Sequence, residues 1–115
     1  MAAASEDAQE KIQRLTLIEQ NLQQLLHQKQ QFSAQQFEIE SAEKELKDAP
    51  NAYKIIGNIM VQRPLEDLRK DLGQRKEIID LRLASIEKQE VALKEKAKKL
   101  QEDVLGSLKG AEAKA

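Results

Sequence analysis

The 115-residue chain has no cysteine and no tryptophan, and only two Phe, one Tyr, four Gly and two Pro. Each shortage excludes something. Without cysteine there is neither a disulfide nor a thiolate metal site. With aromatics at 3%, a globular core would lack the side chains that bury the most area per residue. Gly and Pro are the strongest interrupters of regular backbone, and neither occurs between Glu6 and Ala49. No apolar run approaches the roughly 20 residues needed to span a bilayer. Charge of one sign is also missing: 19 Lys and Arg stand against 20 Asp and Glu, so the basic face of a nucleic-acid-binding protein is not expected. Met1-Ala2-Ala3-Ala4-Ser5-Glu6-Asp7 has neither the basic nor the apolar part of a signal peptide. A cytoplasmic protein without membrane or nucleic-acid contact is the expectation.

What is present is 34% charge mixed with Leu, Ile, Ala and Gln, the composition of long helices and coiled coils. A first helix is predicted over 5–48. Ser5 is a good N-cap, and Glu6 and Asp7 suit the positive end of the helix dipole. Its seam alternates spacings of three and four: Leu15, Ile18, Leu22, Leu25, Lys29, Phe32, Gln36, Ile39, Glu43, Leu46. That is a heptad repeat, made leaky by Lys29, Gln36 and Glu43. At about 1.5 Å per residue the helix would be about 60 Å long. Pro50 ends it, because proline inside a helix loses a backbone hydrogen bond.

The pattern then changes. Tyr53-Lys54-Ile55-Ile56-Gly57-Asn58-Ile59-Met60-Val61-Gln62 is rich in β-branched residues around Gly-Asn, a tight-hairpin dipeptide. With Gly57 and Asn58 at the turn, one face of a hairpin over 53–62 carries Ile56, Ile59 and Val61, and the other Tyr53, Ile55 and Met60. Pro64 then restarts a helix, followed by Glu66 and Asp67. This second helix, predicted over 64–109, has its seam at Leu72, Lys76, Ile79, Leu83, Ile86, Glu90, Leu93, Ala97, Leu100 and Val104. Residues 110–115 read as a flexible tail.

The fold class that follows is mainly α: a long antiparallel two-helix coiled coil with a β-hairpin at the connecting end. A parallel association between chains is the alternative, but the hairpin returns the chain the way it came. An isolated hairpin is marginal in water, and this one has open edges and two apolar faces, which proteins normally cover. Two arrangements would cover them. The hairpin could fold down as a cap on the helix ends, leaving one apolar face wet. Alternatively, hairpins of several subunits could pair edge to edge into an inter-subunit β-barrel. The second is the expectation, and it makes Tyr53, Ile55, Ile56, Gly57, Asn58, Ile59, Met60 and Val61 the oligomerisation hairpin.

A coiled-coil arm, then the segment from Tyr53 to Val61, then a second arm with Arg82-Leu83-Ala84-Ser85-Ile86-Glu87-Lys88-Gln89-Glu90, resembles the β-type subunit of prefoldin over nearly the whole chain, in a form closer to archaeal than to eukaryotic members. The resemblance implies one hairpin for a β-type subunit, where an α-type subunit has two. It implies a complex of two α-type and four β-type subunits, in which a double β-barrel bears six coiled coils. It implies a chaperone that holds unfolded proteins at apolar arm tips without ATP or any other cofactor, and passes them to a group II chaperonin.

Because the hairpin turns the chain around, both ends lie at the arm tip, and the client-binding candidates are Ile12, Leu15, Leu17, Ile18 and Leu22 with Leu93, Leu100, Val104, Leu105 and Leu108. Leu15, Ile18, Leu22, Leu93 and Leu100 are seam residues, for which packing alone is a sufficient reason. Leu17 and Leu105 lie off the seam, where no partner helix can bury them. Against any function, scattered exposed leucines are ordinary. His27 has glutamines at positions 23, 24, 30 and 31, so it reads as a solvated histidine, neither catalytic nor a metal ligand. Lys94 to Lys99 reads as a solvated face, with docking to an acidic chaperonin surface as the other reading. No phosphate loop, nucleophile elbow or metal-ligand spacing occurs, so no enzyme is expected. The competing reading is a structural or adaptor coiled coil whose hairpin serves only for assembly.

Overall fold

Among the described residues, Pro50 and Pro64 bracket the two strands, and a long helix lies on either side. The computed structural model describes residues 2–114, with side chains from Asp7 to Lys109. Helix α1 spans Ala2–Asp48, strand β1 Ala52–Ile56, strand β2 Ile59–Arg63 and helix α2 Leu65–Lys114. The backbone of α1 is already helical before Ser5, and the Ser5 side chain lies outside the described residues. Helix α2 continues past Gly110, where the sequence suggests a tail; the side chains of 110–115 also lie outside the described residues.

Helix α1 stops two residues before Pro50, as the missing N–H requires. Its last carbonyls need partners, and one comes from the second helix: Arg69 Nη2 donates to the Leu46 carbonyl at 3.5 Å. Pro64 stands immediately before α2, and its carbonyl accepts the first bonds from the N–H groups of Asp67 (3.1 Å) and Leu68 (3.3 Å). Glu66 and Asp67 place negative charge in the first turn, where the helix dipole favours it.

The two strands pair antiparallel, with Ala52 opposite Arg63, Lys54 opposite Val61, Ile55 opposite Met60 and Ile56 opposite Ile59. Gly57 has φ near +60°, and no described residue other than glycine has positive φ. Positive φ at only the first central position is the type II′ pattern, whose twist matches that of the strands.

The fold divides into two units, each containing a length of both helices: a terminal unit of Met1–Gln28 with Ile86–Ala115, and a hairpin unit of Lys29–Ser85. In the hairpin unit, Gln36 Nε2 donates to Asp80 Oδ1 at 2.7 Å, and Lys76 Nζ lies 3.6 Å from Glu40 Oε1. Residue 36 meets 80 and residue 40 meets 76, so one helix number rises as the other falls: the pairing is antiparallel. These contacts also account for the polar seam positions Gln36 and Lys76, which exchange apolar packing for a cross-helix polar contact that selects one register. Arg82 lies over the Phe32 ring, 5.5 Å from its centroid, a cation–π contact. Ile79 is the buried centre of this seam.

In the terminal unit the buried positions are Ala8, Ile18 and Leu25 on α1 with Ile86 and Val104 on α2. Leu15, Leu22, Leu93, Ala97 and Leu100 are half-buried. No side chain among the described residues is completely enclosed. The physical reason is thickness: a pair of helices covers each seam residue from one side only, with no further layer to close over it.

Candidate functional site

Among the described residues no side chain is completely enclosed. Among the described residues no group of His, Asp and Glu is placed to hold a metal ion, and His27 lies exposed on α1. Among the described residues no helix is long and apolar enough to cross a membrane. What the structure does offer is apolar surface, concentrated in two places.

The first is the hairpin. Its register puts Ile56, Ile59 and Val61 on one face and Tyr53, Ile55 and Met60 on the other, because residues directly opposite share a face. Ile55 is 69% exposed, Ile59 66% and Met60 65%, and only Ala52 at the base is buried. A hairpin capping the helix ends would have buried one face, and this one buries neither. Instead a cleft of about 660 Å³ separates Tyr53, Ile55 and Met60 from the helix ends at Leu46, Leu68 and Leu72. Polar contacts also run from the hairpin to the start of α2 and to Asn51. Lys54 Nζ lies 3.6 Å from Asp71 Oδ2, which Arg75 also approaches at 3.4 Å. Gln62 Nε2 donates to Asn51 Oδ1 at 3.1 Å.

The second place is the terminal unit. Of the ten residues singled out there from the sequence, Ile18 and Val104 are buried in the seam, and Leu15, Leu22, Leu93 and Leu100 are half-buried along it. The remaining four, Ile12, Leu17, Leu105 and Leu108, are exposed, with Leu17 at 59% and Leu105 at 55%. Heptad spacing separates these two groups: a residue one step off the seam points away from the partner helix. The same rule identifies apolar residues passed over in the sequence. Leu26 and Val91 in the terminal unit, and Phe37, Ile78 and Leu81 in the hairpin unit, are exposed. Their signal was available, since each lies off the seam.

Comparison with known proteins agrees with this architecture. The family pattern described as "Prefoldin subunit" matches residues 9–111. The prefoldin subunit beta of Methanospirillum hungatei is 33% identical over 113 residues, covering 96% of this chain and 94% of that protein. The same subunit of Pyrobaculum islandicum is 32% identical over 116 residues, covering 96% and 93%. Among solved structures, the prefoldin beta subunit of Thermococcus strain KS-1 superposes with a TM-score of 0.84 at 28% identity, over 89% of this chain and 92% of that one.

Proposed function

This chain belongs to the prefoldin subunits, as a β-type member of a chaperone that assembles as a hetero-oligomer, and from that premise we propose that it is an ATP-independent holdase subunit. Apolar side chains of the terminal unit hold unfolded or nascent chains in the cytoplasm and release them to a group II chaperonin. The hairpin joins two α-type and four β-type subunits through a shared β-barrel. The observation that carries the reading is the pair of exposed apolar surfaces, one on a sheet with open edges and one on helices that have already satisfied each other along the seam.

The two surfaces suit different partners. Open strand edges pair with other strands and so favour a fixed, repeated contact. A helical surface whose backbone is already bonded offers only side-chain contact. Apolar burial of that kind is non-directional, at about 25 cal/mol per Å², so it accepts many sequences. Several such subunits in one assembly add avidity. No step in this cycle needs a bond to be made or broken.

The test is suppression of aggregation of a chemically denatured client by the chain assembled with an α-type subunit. Combining Leu17→Gln, Leu105→Gln and Leu108→Gln is expected to weaken protection several-fold, while Leu81→Gln in the hairpin unit keeps it. Full protection by the triple variant would refute the assignment of client contact to these residues. Absence of protection by the unaltered assembly would favour the adaptor reading.

A further inference from the structure

One groove of the terminal unit has a chemistry that apolar capture alone does not require. Its floor is formed by Leu17, Ile18, Leu93 and Leu100, and its cavity volume is about 490 Å³. Its rim carries Arg14 from α1 and Lys96 and Lys99 from α2, against a single carboxylate, Asp103. All three cations are exposed, and none forms an ion pair with a described residue. The unit as a whole is not basic: Asp7, Glu10, Glu19, Glu87, Glu95 and Glu102 lie on the same helix lengths. The excess of cations is local. A second groove of the same unit, around Leu25, Ala92 and Leu93, is walled by Asn21, Gln24, Gln28 and Gln89 and carries no charge.

We propose that the Arg14–Lys96–Lys99 groove selects, among unfolded clients, segments in which apolar residues are closely followed or preceded by Asp or Glu. This rests on the holdase reading and narrows its substrate class. The floor takes two or three apolar side chains, a fit consistent with its volume lying in the ordinary range of ligand clefts, about 300–1,000 Å³. The rim then supplies carboxylate partners to acidic neighbours of those side chains. Charge complementarity favours a client over a second copy of this chain. A symmetric contact would set one groove against its equal and bring three cations toward three. A basic client segment meets the same repulsion, so the rim also discriminates against the wrong sequence.

Exposed ion pairs are individually weak. Each carboxylate is expected to change affinity by about 1.5- to fivefold, and three together by about tenfold. The preference must fade in salt, since the screening length falls from about 10 Å at 0.1 M to about 3 Å at 1 M.

The test uses three labelled 12-residue peptides with the same leucines and with Glu, Gln or Lys between them. Binding to the assembled chaperone is read by fluorescence anisotropy at 0.05 M and 0.5 M NaCl. The expected order is Glu over Gln over Lys at low salt, collapsing at high salt. The combined Arg14→Gln, Lys96→Gln and Lys99→Gln variant should bring the Glu peptide down to the affinity of the Gln peptide. Lys88→Gln, Lys98→Gln and Lys109→Gln, the same charge change away from the groove, should keep the preference. Equal binding of the three peptides overturns the proposal and leaves the holdase reading standing. So does a preference that survives the groove variant, or one lost equally in the control, since either puts the selectivity elsewhere. A smaller assembly formed by the groove variant would make the groove a self-contact and also overturn it. If no peptide binds and aggregation proceeds unchecked, the holdase reading itself fails.

Discussion

Replacing two glycines by alanine, one at a time, should move stability in opposite directions. Gly57 sits at the first central position of the hairpin turn with φ near +60°. Gly73 sits inside α2. A Cβ built at either position meets nothing within 4 Å, so side-chain clash is removed as a cause and only backbone conformation remains. For an L-residue the left-handed region costs about 1–2 kcal/mol. In a helix interior, glycine is about 1 kcal/mol worse than alanine. Gly57→Ala is therefore expected to destabilise by about 1–2 kcal/mol and Gly73→Ala to stabilise by about 1 kcal/mol. For a chain of this size the two melting temperatures should differ by roughly 10 °C. Thermal unfolding followed by circular dichroism reads this directly, at one fixed protomer concentration, because association makes apparent stability concentration-dependent. Gly57→Asn supplies the internal check: asparagine is larger than alanine but tolerates positive φ better, so it should cost less. Gly57→Ala melting at or above the unaltered protein, or Gly57→Asn melting below Gly57→Ala, would refute the backbone argument.

Other outcomes follow from burial and charge. Ile86 is 5% exposed and Leu81 72%, so Ile86→Ala should lose about 2–4 kcal/mol in urea unfolding and Leu81→Ala no more than about 0.5. The half-exposed Lys54–Asp71 pair should contribute at most about 1 kcal/mol. Lys54→Ala melts should therefore differ from the unaltered protein at low salt and converge with it at 1 M NaCl. Ile59→Glu with Met60→Glu places charge on both hairpin faces; sedimentation should show a smaller assembly whose protomers keep their helical signal. An assembly of unchanged size would remove the hairpin from the subunit contact.

The seam was legible because heptad spacing is a property of the chain alone. Every predicted seam position is buried or half-buried, including the polar ones at Lys29, Gln36, Glu43, Lys76 and Glu90. The turn at Gly57-Asn58 was legible for the same reason, since its requirement is local φ. Cross-helix register was not. Nothing in either helix by itself says that Gln36 reaches Asp80 or that Lys76 reaches Glu40, because those distances depend on where the hairpin returns the chain. The hairpin was expected to keep its apolar faces for other subunits rather than to cap the helix ends, and within the chain neither face is buried. The candidate client surface was half legible. Leu17 and Leu105 are off-seam near the chain ends, whereas Leu26 and Val91 satisfy the same rule but lie farther along the helices, outside the tip expected from the turn of the hairpin. The cationic rim was invisible, since Arg14 is about 80 positions away from Lys96 and Lys99 in sequence.

The central claim is that clients are held by the terminal unit and not by the hairpin unit. Site-specific photo-crosslinking tests it most directly, with a photoreactive amino acid placed at Leu17, Leu105, Phe37 or Leu81 in the assembled chaperone and illuminated in the presence of a denatured client. All four positions are exposed and apolar, so exposure and hydrophobicity do not separate them. Client adducts are expected at 17 and 105 and none above background at 37 and 81. Adducts of equal yield at all four positions would contradict it.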